Sequence, residues 1–441
     1  MKDKLKKIKN KKICILGYGL ENQALVKFLL SKNLASEITI CDKRTSVHFH
    51  ANCQTTSLKW CLGKNYDNNL NQFDIIFRIA GYPMFSAEIK KAKKSGVEIS
   101  SPIKLFFDLC PTKNIIGVTG SKGKGTTASL VYDILKTAFA KTNHGVYIGG
   151  NIGIPAFSFF NKIKTSDWVI LELSSFQLED PTKSPRLAVI TNFYREHMAS
   201  ADPLNPNFHK SMADYWQAKA NIFKYQKKGD YLIINHSLKN KTIKAKSKII
   251  SFNKLNLESN LIGDYNQENI GAAAAAAKVA GVKLSVIKSA VKNFKPLPHR
   301  LEFISEINGR RYYDNSFATT PESTISDLKN FNSPVVLLAG GADKGADFKK
   351  LAKIIKLKVK FLILFKGQAT PKIRNELRKI SYPKDKIKIA GNMKEAVKIS
   401  RTNSARGDII LLSPACASFG LFKNYKERGE LFKKETKKQS Q

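Results

Sequence analysis

The segment Gly117–Thr127 combines the residue types that bind phosphate groups. Its sequence, GVTGSKGKGTT, places four glycines around the end of an apolar stretch. Glycine lets backbone N–H groups approach an anion closely, and a helix that begins beyond the loop directs its positive end toward the same anion. Lys124 would neutralise the β- and γ-phosphates of ATP, and a hydroxyl of Thr126 or Thr127 would meet Mg²⁺. The strict G-x4-G-K-[ST] pattern fails by one spacing and by the glycine after the lysine, so an ordinary Gly/Lys-rich turn is the alternative. The residues expected to contact ATP are Gly120, Ser121, Lys122, Gly123, Lys124, Gly125, Thr126 and Thr127.

Two strand-like segments of the same region are followed by residues that suit a metal. Glu172 comes after WVIL, where a buried carboxylate is costly unless it meets a cation such as a Mg²⁺ beside the ATP phosphates. Glu196 and His197 lie just after LAVITN, and open α/β sheets bind ligands beyond the carboxyl ends of their strands. A carboxylate satisfied within a turn and a structural histidine are the alternatives. Beside the glycine-rich loop, these residues predict a metal-assisted nucleotide site.

A second glycine turn lies near the N-terminus. The order of a strand, Gly17-Tyr18-Gly19 and an acid at Asp42 resembles a dinucleotide fingerprint, but Asn22 stands where the third glycine would be. A dinucleotide site is therefore weakened, whereas the turn can still hold a nucleotide diphosphate. We predict nucleotide-sugar binding at these residues and at Lys43.

Strand and helix signals alternate along the whole chain, which predicts the α/β class. A length of 441 residues is too great for one ordinary core. Pro111 marks a first boundary, and the prolines of FKPLPHR (294–300) mark a second. We therefore predict three domains, at 1–111, 112–297 and 298–441.

The chain is strongly basic, with 75 Lys and Arg against 35 Asp and Glu and a formal net charge of +40. A nucleic-acid binder tends to concentrate such charge in one patch with aromatic residues. Because the lysines are dispersed here, a general lysine bias is the preferred explanation, and a positive field also attracts phosphorylated substrates. We expect no specific nucleic-acid partner.

Other compositional features concern location. No stretch approaches the roughly 18 consecutive apolar residues of a membrane helix, and no signal-peptide pattern follows the basic N-terminus. The six cysteines are scattered without a CxxC pair, which argues against a zinc site and a disulfide framework. We expect a monomer in a reducing cytoplasm, without membrane insertion.

The order of the motifs resembles the Mur ligases, the peptidoglycan amino-acid-adding enzymes, and their folylpolyglutamate synthetase relatives. GVTGSKGKGTT is similar to the family's ATP loop, GGNIG (149–153) to its substrate loop, and TNFYREH (191–197) to its TN-x-x-x-DH segment. ELSSFQLE (172–179) is most similar to members that add glutamate to UDP-N-acetylmuramoyl-L-alanine. Further matches, which extend the resemblance over nearly the whole chain, are YWQAKANIF (215–223), PHRLE (298–302), YDNSFATT (313–320), GGADKGADF (340–348) and LSPACASFGLFKNYKERG (412–429).

The resemblance implies an ATP-dependent amide-bond-forming ligase with Mg²⁺ as cofactor and with UDP-N-acetylmuramoyl-L-alanine and D-glutamate as substrates. It implies a Rossmann-like nucleotide-sugar domain, a P-loop ATPase domain and a Rossmann-like glutamate domain. The catalytic residues that it implies are Lys124, Glu172, His197 and Lys219, the last as a carbamate. The metal ligands that it implies are Thr126, Glu172, His197 and Lys219. The further ATP contacts that it implies are Asn266, Asn269, Arg300 and Asp314. The substrate contacts that it implies are Gly17, Tyr18, Gly19, Asp42, Lys43 and Asn151 for the nucleotide-sugar and Thr319, Lys344, Ser418, Phe419 and Tyr425 for glutamate.

Several positions depart from the family pattern. Phe317 replaces the usual lysine of D-S-K-A-T-N, and Gly420 replaces an aspartate, which leaves L-glutamate open as the added amino acid. Gly125 is also found in the folate branch, so a folylpolyglutamate synthetase is a further alternative. A basic nucleic-acid binder without ligase activity is the alternative from another class. The remaining departures are Arg78-Ile-Ala-Gly81 for an S-P-G turn, Glu196 for an aspartate and Tyr265 for a histidine.

Overall fold

The computed structural model describes residues 5–47, 58–198, 207–242, 245–343 and 345–438, which form three β-sheets with flanking helices. The chain divides into two compact units. The first comprises Met1–Ser259 and Tyr265–Phe294, and the second comprises Asn260–Asp264 and Lys295–Gln441. The first unit holds two of the sheets, and the second unit holds the third.

The N-terminal sheet is parallel, with five strands in the order β3-β2-β1-β4-β5. Its strands β1 and β4 are almost fully buried, as expected for parallel strands covered on both faces. The strands are β1 (Lys12–Leu16), β2 (Glu37–Asp42), β3 (Leu58–Leu62), β4 (Ile75–Arg78) and β5 (Glu98–Ser100). The helices are α1 (Leu20–Ser31), α2 (Ala87–Lys94) and α3 (Pro102–Leu109).

The central sheet is also parallel, with six strands in the order β11-β10-β9-β6-β8-β7. Its strands are β6 (Ile115–Thr119), β7 (Val146–Gly150), β8 (Trp168–Glu172), β9 (Leu187–Ile190), β10 (Tyr231–Asn235) and β11 (Lys248–Phe252). Its helices are α4 (Lys124–Ala138), α5 (Met212–Lys224), α6 (Asp264–Val279) and α7 (Leu284–Asn293). Strand β6 lies between β8 and β9, with Val118 opposite Glu172 and Thr119 opposite Ile190. The carboxyl ends of these three strands therefore meet at one edge of the sheet.

Apolar packing joins the N-terminal and central sheets across the boundary predicted at residue 111. Phe28 of α1 contacts Phe157 and Phe160, with ring centroids 4.8 and 5.0 Å apart. Phe106 of α3 packs edge-on against the same two rings. Such aromatic clusters contribute a large share of buried apolar area, so these two sheets belong to one compact unit.

A charged network accompanies this packing. The Arg78 side chain is buried, donates to Glu179 Oε2 at 2.8 Å and lies 3.4 Å from Asp180 Oδ2. Gln177 donates to Glu21 in the first turn of α1. Burial raises the pKa of Glu21 and of Glu179 to about 7. Two carboxylates thus share the Arg78 guanidinium where the two sheets meet, and Glu21 interacts with it electrostatically.

The raised pKa values predict how stability depends on pH. Because the folded state binds these protons more tightly than the unfolded chain, stability should fall as pH rises from about 4.5 to about 7. Glu21→Gln keeps an acceptor for Gln177 but removes the charge. We expect it to raise Tm by about 2–4 °C at pH 8 and by much less at pH 5.5.

Thermal unfolding at both pH values measures this change in Tm. The control is Glu258→Gln, which changes an exposed glutamate paired with Lys292. An equal effect of Glu21→Gln at both pH values would contradict it.

The C-terminal sheet is mixed, with the order β12-β13-β17-β14-β15-β16. Its strands are β12 (Glu302–Ile307), β13 (Arg310–Asp314), β14 (Val335–Ala339), β15 (Val359–Phe365), β16 (Ile387–Ala390) and β17 (Ile409–Leu412). Its helices are α8 (Pro321–Lys329), α9 (Lys349–Lys358), α10 (Ala369–Lys379), α11 (Met393–Thr402) and α12 (Tyr425–Lys437). The antiparallel pair β12–β13 turns at Asn308-Gly309, where both residues have positive φ, as a two-residue hairpin requires.

Candidate active site

The glycine-rich loop leads from β6 into α4 with a backbone that side chains would block. Gly120 has φ of +148°, and a Cβ there would lie 1.9 Å from Thr191 Oγ1. Gly123 caps α4 with φ of +79°, and a Cβ there would lie 2.1 Å from Asn269 Oδ1. The first amides of a helix have no intrahelical acceptor, and here they face the loop. The turn is therefore shaped as an anion cradle, as the sequence predicts.

The segment after β9 braces this loop. Thr191 Oγ1 donates to Lys122 O at 2.7 Å, and Lys122 N donates to Asn192 Oδ1 at 2.8 Å. Tyr194 N donates to Ser121 Oγ at 2.8 Å, and Ser121 N donates to Asn192 O at 3.1 Å. These bonds hold the loop in its binding shape before any ligand arrives. Preorganisation of this kind lowers the cost of binding an anion.

Two lysines converge on the same loop. Lys124 Nζ donates to Gly120 O at 3.0 Å and to Ser121 O at 2.8 Å, and Lys219 Nζ of α5 donates to Gly120 O at 2.7 Å. The Lys219 side chain is only 1% exposed. Burial, and then the positive charge of Lys124, lower the pKa of Lys219 well below its usual value. Both effects disfavour the protonated form of the Lys219 amine.

The carboxylate of Glu172 lies at the end of β8 and is 4% exposed. Asn151 Nδ2 donates to Glu172 Oε1 at 3.1 Å, and the charge of Glu172 also acts on the Lys219 amine. A buried carboxylate with one amide donor still has oxygen lone pairs to offer, and a divalent cation is a ligand that such oxygens suit. Thr127 Oγ1 is engaged with Asn269 Oδ1 at 3.3 Å, which favours Thr126 as the hydroxyl ligand. The donor set thus fits Mg²⁺.

His197 lies in the segment after β9 and has a left-handed conformation, with φ of +60°. Its ring is 5.2 Å from Phe176 and 5.8 Å from Tyr215, and Lys219 Nζ lies 4.6 Å from the Tyr215 ring centroid. His197 O accepts from His209 N at 2.8 Å. Tyr215 therefore links the histidine to the buried lysine.

The predicted adenine-side residues also reach the loop. Asn269 of α6 lies against Gly123 and Thr127, and its Nδ2 donates to Asn266 Oδ1 at 2.9 Å. The structure brings these two asparagines to the glycine-rich loop. Their contact with adenine stays a prediction.

The N-terminal turn is built around Asp42. Its carboxylate accepts from Tyr18 N at 2.6 Å and from the Arg44 guanidinium at 2.7 and 2.8 Å. Burial alone would raise the pKa of Asp42, but the bonds from Arg44 and Tyr18 outweigh it and lower that pKa below its usual value. Gly17 has φ of +84°, and a Cβ there would lie 2.5 Å from Ile79. Asp42 thus shapes the Gly17–Gly19 turn, with Lys43 next to it.

The second unit holds the remaining predicted residues. Asp314 is fully buried, accepting from Ser316 N at 2.7 Å and lying 2.7 Å from His299 Nδ1. Thr319, Ser418, Phe419 and Tyr425 lie in the loops after β13 and β17 and at the start of α12. Lys344 lies outside the described residues.

Buried Arg428 ties two of these loops together. Its guanidinium donates to Ser316 O at 2.8 Å, to Ser316 Oγ at 3.0 Å and to Cys416 O at 3.2 Å. Burial lowers the pKa of Arg428 to about 10. Next to it, Gly429 leaves room for the His299–Asp314 pair, because a Cβ there would lie 2.1 Å from His299 Nδ1.

Comparison with known proteins places the chain in a family. Sequence models match the MurD-like N-terminal domain of Mur ligases at residues 11–101, the Mur ligase middle domain at 118–256 and the glutamate ligase domain at 299–416. The UDP-N-acetylmuramoylalanine–D-glutamate ligase of Acetivibrio thermocellus is 38% identical, over 98% of this chain and 97% of that protein. The chain belongs to the Mur ligase family. The ligase of the same name from Clostridium tetani is 36% identical over 97% of this chain and 96% of its own length.

Solved structures agree on the fold. The UDP-N-acetylmuramate–alanine ligase MurC of Thermotoga maritima matches with a TM-score of 0.60 at 16% identity, over 97% of this chain and 100% of that one. MurF of Thermotoga maritima, solved in complex with ADP, matches with a TM-score of 0.58 at 14% identity, over 98% and 97%. The predicted three-domain α/β fold is confirmed, with parallel sheets in the first two domains and a mixed sheet in the third.

Two residues of this Mur ligase site were missed by sequence reasoning. His209 is buried, stacks on Phe176 at 4.7 Å, and lies with Nε2 2.9 Å from Ser175 Oγ. Burial, and then the charge of Lys219, lower the pKa of His209 to about 4, so its ring is neutral at pH 7. Arg44 was missed because the prediction assigned its partner, Asp42, to nucleotide-sugar binding and did not consider an ion pair between the two residues. A basic residue so near a buried strand-end acid is the signal for such pairing.

In the described part of the chain, none of the helices has the length and apolar character to cross a membrane.

Proposed function

We propose that this Mur ligase adds D-glutamate to UDP-N-acetylmuramoyl-L-alanine, at the expense of ATP, in peptidoglycan precursor synthesis. The observation that carries the proposal is that buried Lys219 donates to Gly120 of the braced glycine-rich loop and interacts electrostatically with Glu172. The D-glutamate ligases of Acetivibrio thermocellus and Clostridium tetani, similar over nearly the full length, support the choice of substrates.

Bound ATP with Mg²⁺ would supply the phosphoryl group that activates the substrate carboxylate as an acyl phosphate and would offset the negative charge of the phosphates. Lys124 and the first amides of α4 would bind the β- and γ-phosphates. Thr126, Glu172 and His197 would hold the metal. Positioning and charge neutralisation supply most of the catalysis in such a reaction, and no protein nucleophile is needed.

Lys219 would act as a modified ligand. The neutral amine would add CO₂, forming an N–C bond and releasing one proton, and the carbamate oxygens would serve as ligands for Mg²⁺. The lowered pKa of Lys219 supports this, because a protonated amine has no lone pair for the addition. The carbamate would also place a negative charge near the positive charge of Lys124.

The other site assignments follow the domains 1–111, 112–297 and 298–441. Gly17, Tyr18, Gly19, Asp42, Lys43 and Asn151 would bind the nucleotide-sugar. Thr319, Lys344, Ser418, Phe419 and Tyr425 would bind glutamate. Arg300 and Asp314 would contact ATP. Asp314 would first have to release its contact with His299 or the hydrogen bond from Ser316 N. We further propose a cytoplasmic monomer without a nucleic-acid partner.

An omission experiment tests the ligase reaction. The purified chain is given ATP, Mg²⁺, UDP-N-acetylmuramoyl-L-alanine and glutamate, and each component is left out in turn. We expect phosphate release only when all four are present, with one nucleotide-sugar product formed per phosphate. Phosphate release at the same rate without glutamate and without the nucleotide-sugar would contradict the proposal. Salt-sensitive binding to DNA or RNA in its place would favour the basic nucleic-acid binder.

One observation keeps L-glutamate as a second candidate. The loop after β13 carries Phe317 where the family pattern has a lysine, and this ring is 39% exposed. A different side chain at the glutamate domain would alter how a substrate carboxylate is held. Direct comparison of the two enantiomers separates the candidates.

A further inference from the structure

Phe317 takes part in a stack of three side chains in the second unit. The guanidinium carbon of Arg300 lies 3.8 Å from the Phe317 ring centroid. The Tyr425 ring meets the Phe317 ring edge-on, with centroids 5.1 Å apart and an interplanar angle of 85°. Phe317 thus lies between a cation on its face and an aromatic ring.

The backbone fixes the position of this ring from several sides. Phe317 N donates to His299 O at 3.2 Å, which joins the loop to the segment that carries Arg300. Ser316 Oγ donates to Tyr425 O at 2.7 Å, and Arg428 donates to both oxygens of Ser316. The ring is therefore a firm platform despite its exposure.

A platform of this kind constrains a guanidinium. A cation over an aromatic face is attracted by the negative face of the ring, and arginine favours this arrangement because its group is planar. The N–H donors then lie in the plane of the group, where a forked pair can meet an oxyanion. A lysine at 317 would instead place a second positive charge within a few ångströms of Arg300, at a cost.

We propose that Phe317 is a positioning residue that fixes the Arg300 guanidinium for a phosphate group of the reaction. The inference rests on the proposed ligase function, since it takes the phosphate to be that of ATP or of the acyl phosphate. The inference assigns a role to Phe317, which stands where the family pattern has a lysine. The cation needed near the phosphate is Arg300, and the ring sets its orientation.

The test is a double-mutant cycle between Phe317 and Arg300. Phe317→Leu removes the aromatic face, and Phe317→Tyr keeps it. We expect Phe317→Leu to lower kcat/KM about 3- to 30-fold, the size of one lost cation–π contact, and Phe317→Tyr to stay within about twofold. In an Arg300→Gln background, Phe317→Leu should have almost no further effect, because neighbours that act together are not additive. Equal effects of Phe317→Leu with and without Arg300 would overturn the proposal.

Binding of a non-hydrolysable ATP analogue, measured by calorimetry, identifies the phosphate. A weaker analogue Kd in Phe317→Leu assigns Arg300 to ATP, whereas an unchanged Kd with a lower kcat assigns it to the acyl phosphate. The control is Phe303→Leu, a half-exposed phenylalanine of the same domain that packs on Tyr313. A loss in Phe303→Leu equal to that in Phe317→Leu would overturn the proposal.

Two safeguards keep the result interpretable. Thermal unfolding checks that each variant is folded, and Phe317→Met replaces Phe317→Leu if the latter is not. If the wild-type chain lacks glutamate-dependent phosphate release, the proposed function fails. The analogue-binding cycle then still decides whether Phe317 and Arg300 are coupled, and additive effects on the analogue Kd would overturn the coupling itself.

Discussion

Replacing Lys124 with alanine is expected to lower kcat/KM by on the order of 10³-fold or more. The lysine lies at the first position of α4, and its Nζ donates to two carbonyls of the glycine-rich loop. When ATP binds, Nζ would exchange these carbonyls for phosphate oxygens. This position combines a flexible positive charge with the N-terminus of α4. Its loss would leave the β- and γ-phosphates with the backbone amides alone.

Phosphate release with all substrates present measures this loss, together with calorimetric binding of ADP. Lys136→Ala is the matched control, because it removes a lysine from the last turn of the same helix. The control should keep wild-type kcat. Near-normal turnover in Lys124→Ala would remove this lysine from the mechanism.

Glu172→Gln is expected to lower kcat by on the order of 10²–10³-fold. Glutamine keeps the shape and the oxygen that accepts from Asn151, so the fold should be preserved. The substitution removes the negative charge that would bind Mg²⁺. We also expect a higher Mg²⁺ concentration for half-maximal activity.

The Mg²⁺ dependence separates this role from a structural one. A purely structural loss would lower kcat or Tm without moving the half-maximal Mg²⁺ concentration. Glu258→Gln changes an exposed glutamate of the same unit and should alter neither quantity. If Glu172→Gln turned over within about threefold of the wild type, the metal assignment would be wrong.

Much of the site could be predicted because its chemistry depends on local sequence. Glycines, a lysine and threonines between an apolar strand and a helix favour a phosphate loop over an ordinary turn. The parallel sheet places β6, β8 and β9 side by side, so that Glu172 and the loop lie at the same edge of the sheet. Lys219 came from the family pattern and not from spacing. The structure adds that it is buried against the loop.

Other features depend on contacts between distant segments, which no local pattern specifies. Thr191 and Asn192 brace the loop across 69 or 70 residues of sequence, and His209 reaches Ser175 across 34. The aromatic cluster of Phe28, Phe106 and Phe157 joins two sheets that Pro111 had separated in the prediction. These contacts form only when the tertiary fold packs distant segments together.

The C-terminal domain shows both outcomes. Its apolar strands were visible as runs such as those of β14, β15 and β17, whereas the antiparallel pair β12–β13 was missed. The signal was present in Asn308-Gly309, a dipeptide typical of tight hairpins. The stack of Arg300 on Phe317 was not visible at all, because it requires two loops to meet.

The enantiomer of glutamate tests the central claim most directly. Phosphate release and product formation are measured with ATP, Mg²⁺ and UDP-N-acetylmuramoyl-L-alanine, in parallel reactions with D-glutamate or L-glutamate alone. The account predicts turnover with D-glutamate and at most about 1% of that rate with L-glutamate, since one wrongly placed carboxylate leaves buried polar groups unpaired. Turnover with L-glutamate alone would contradict it.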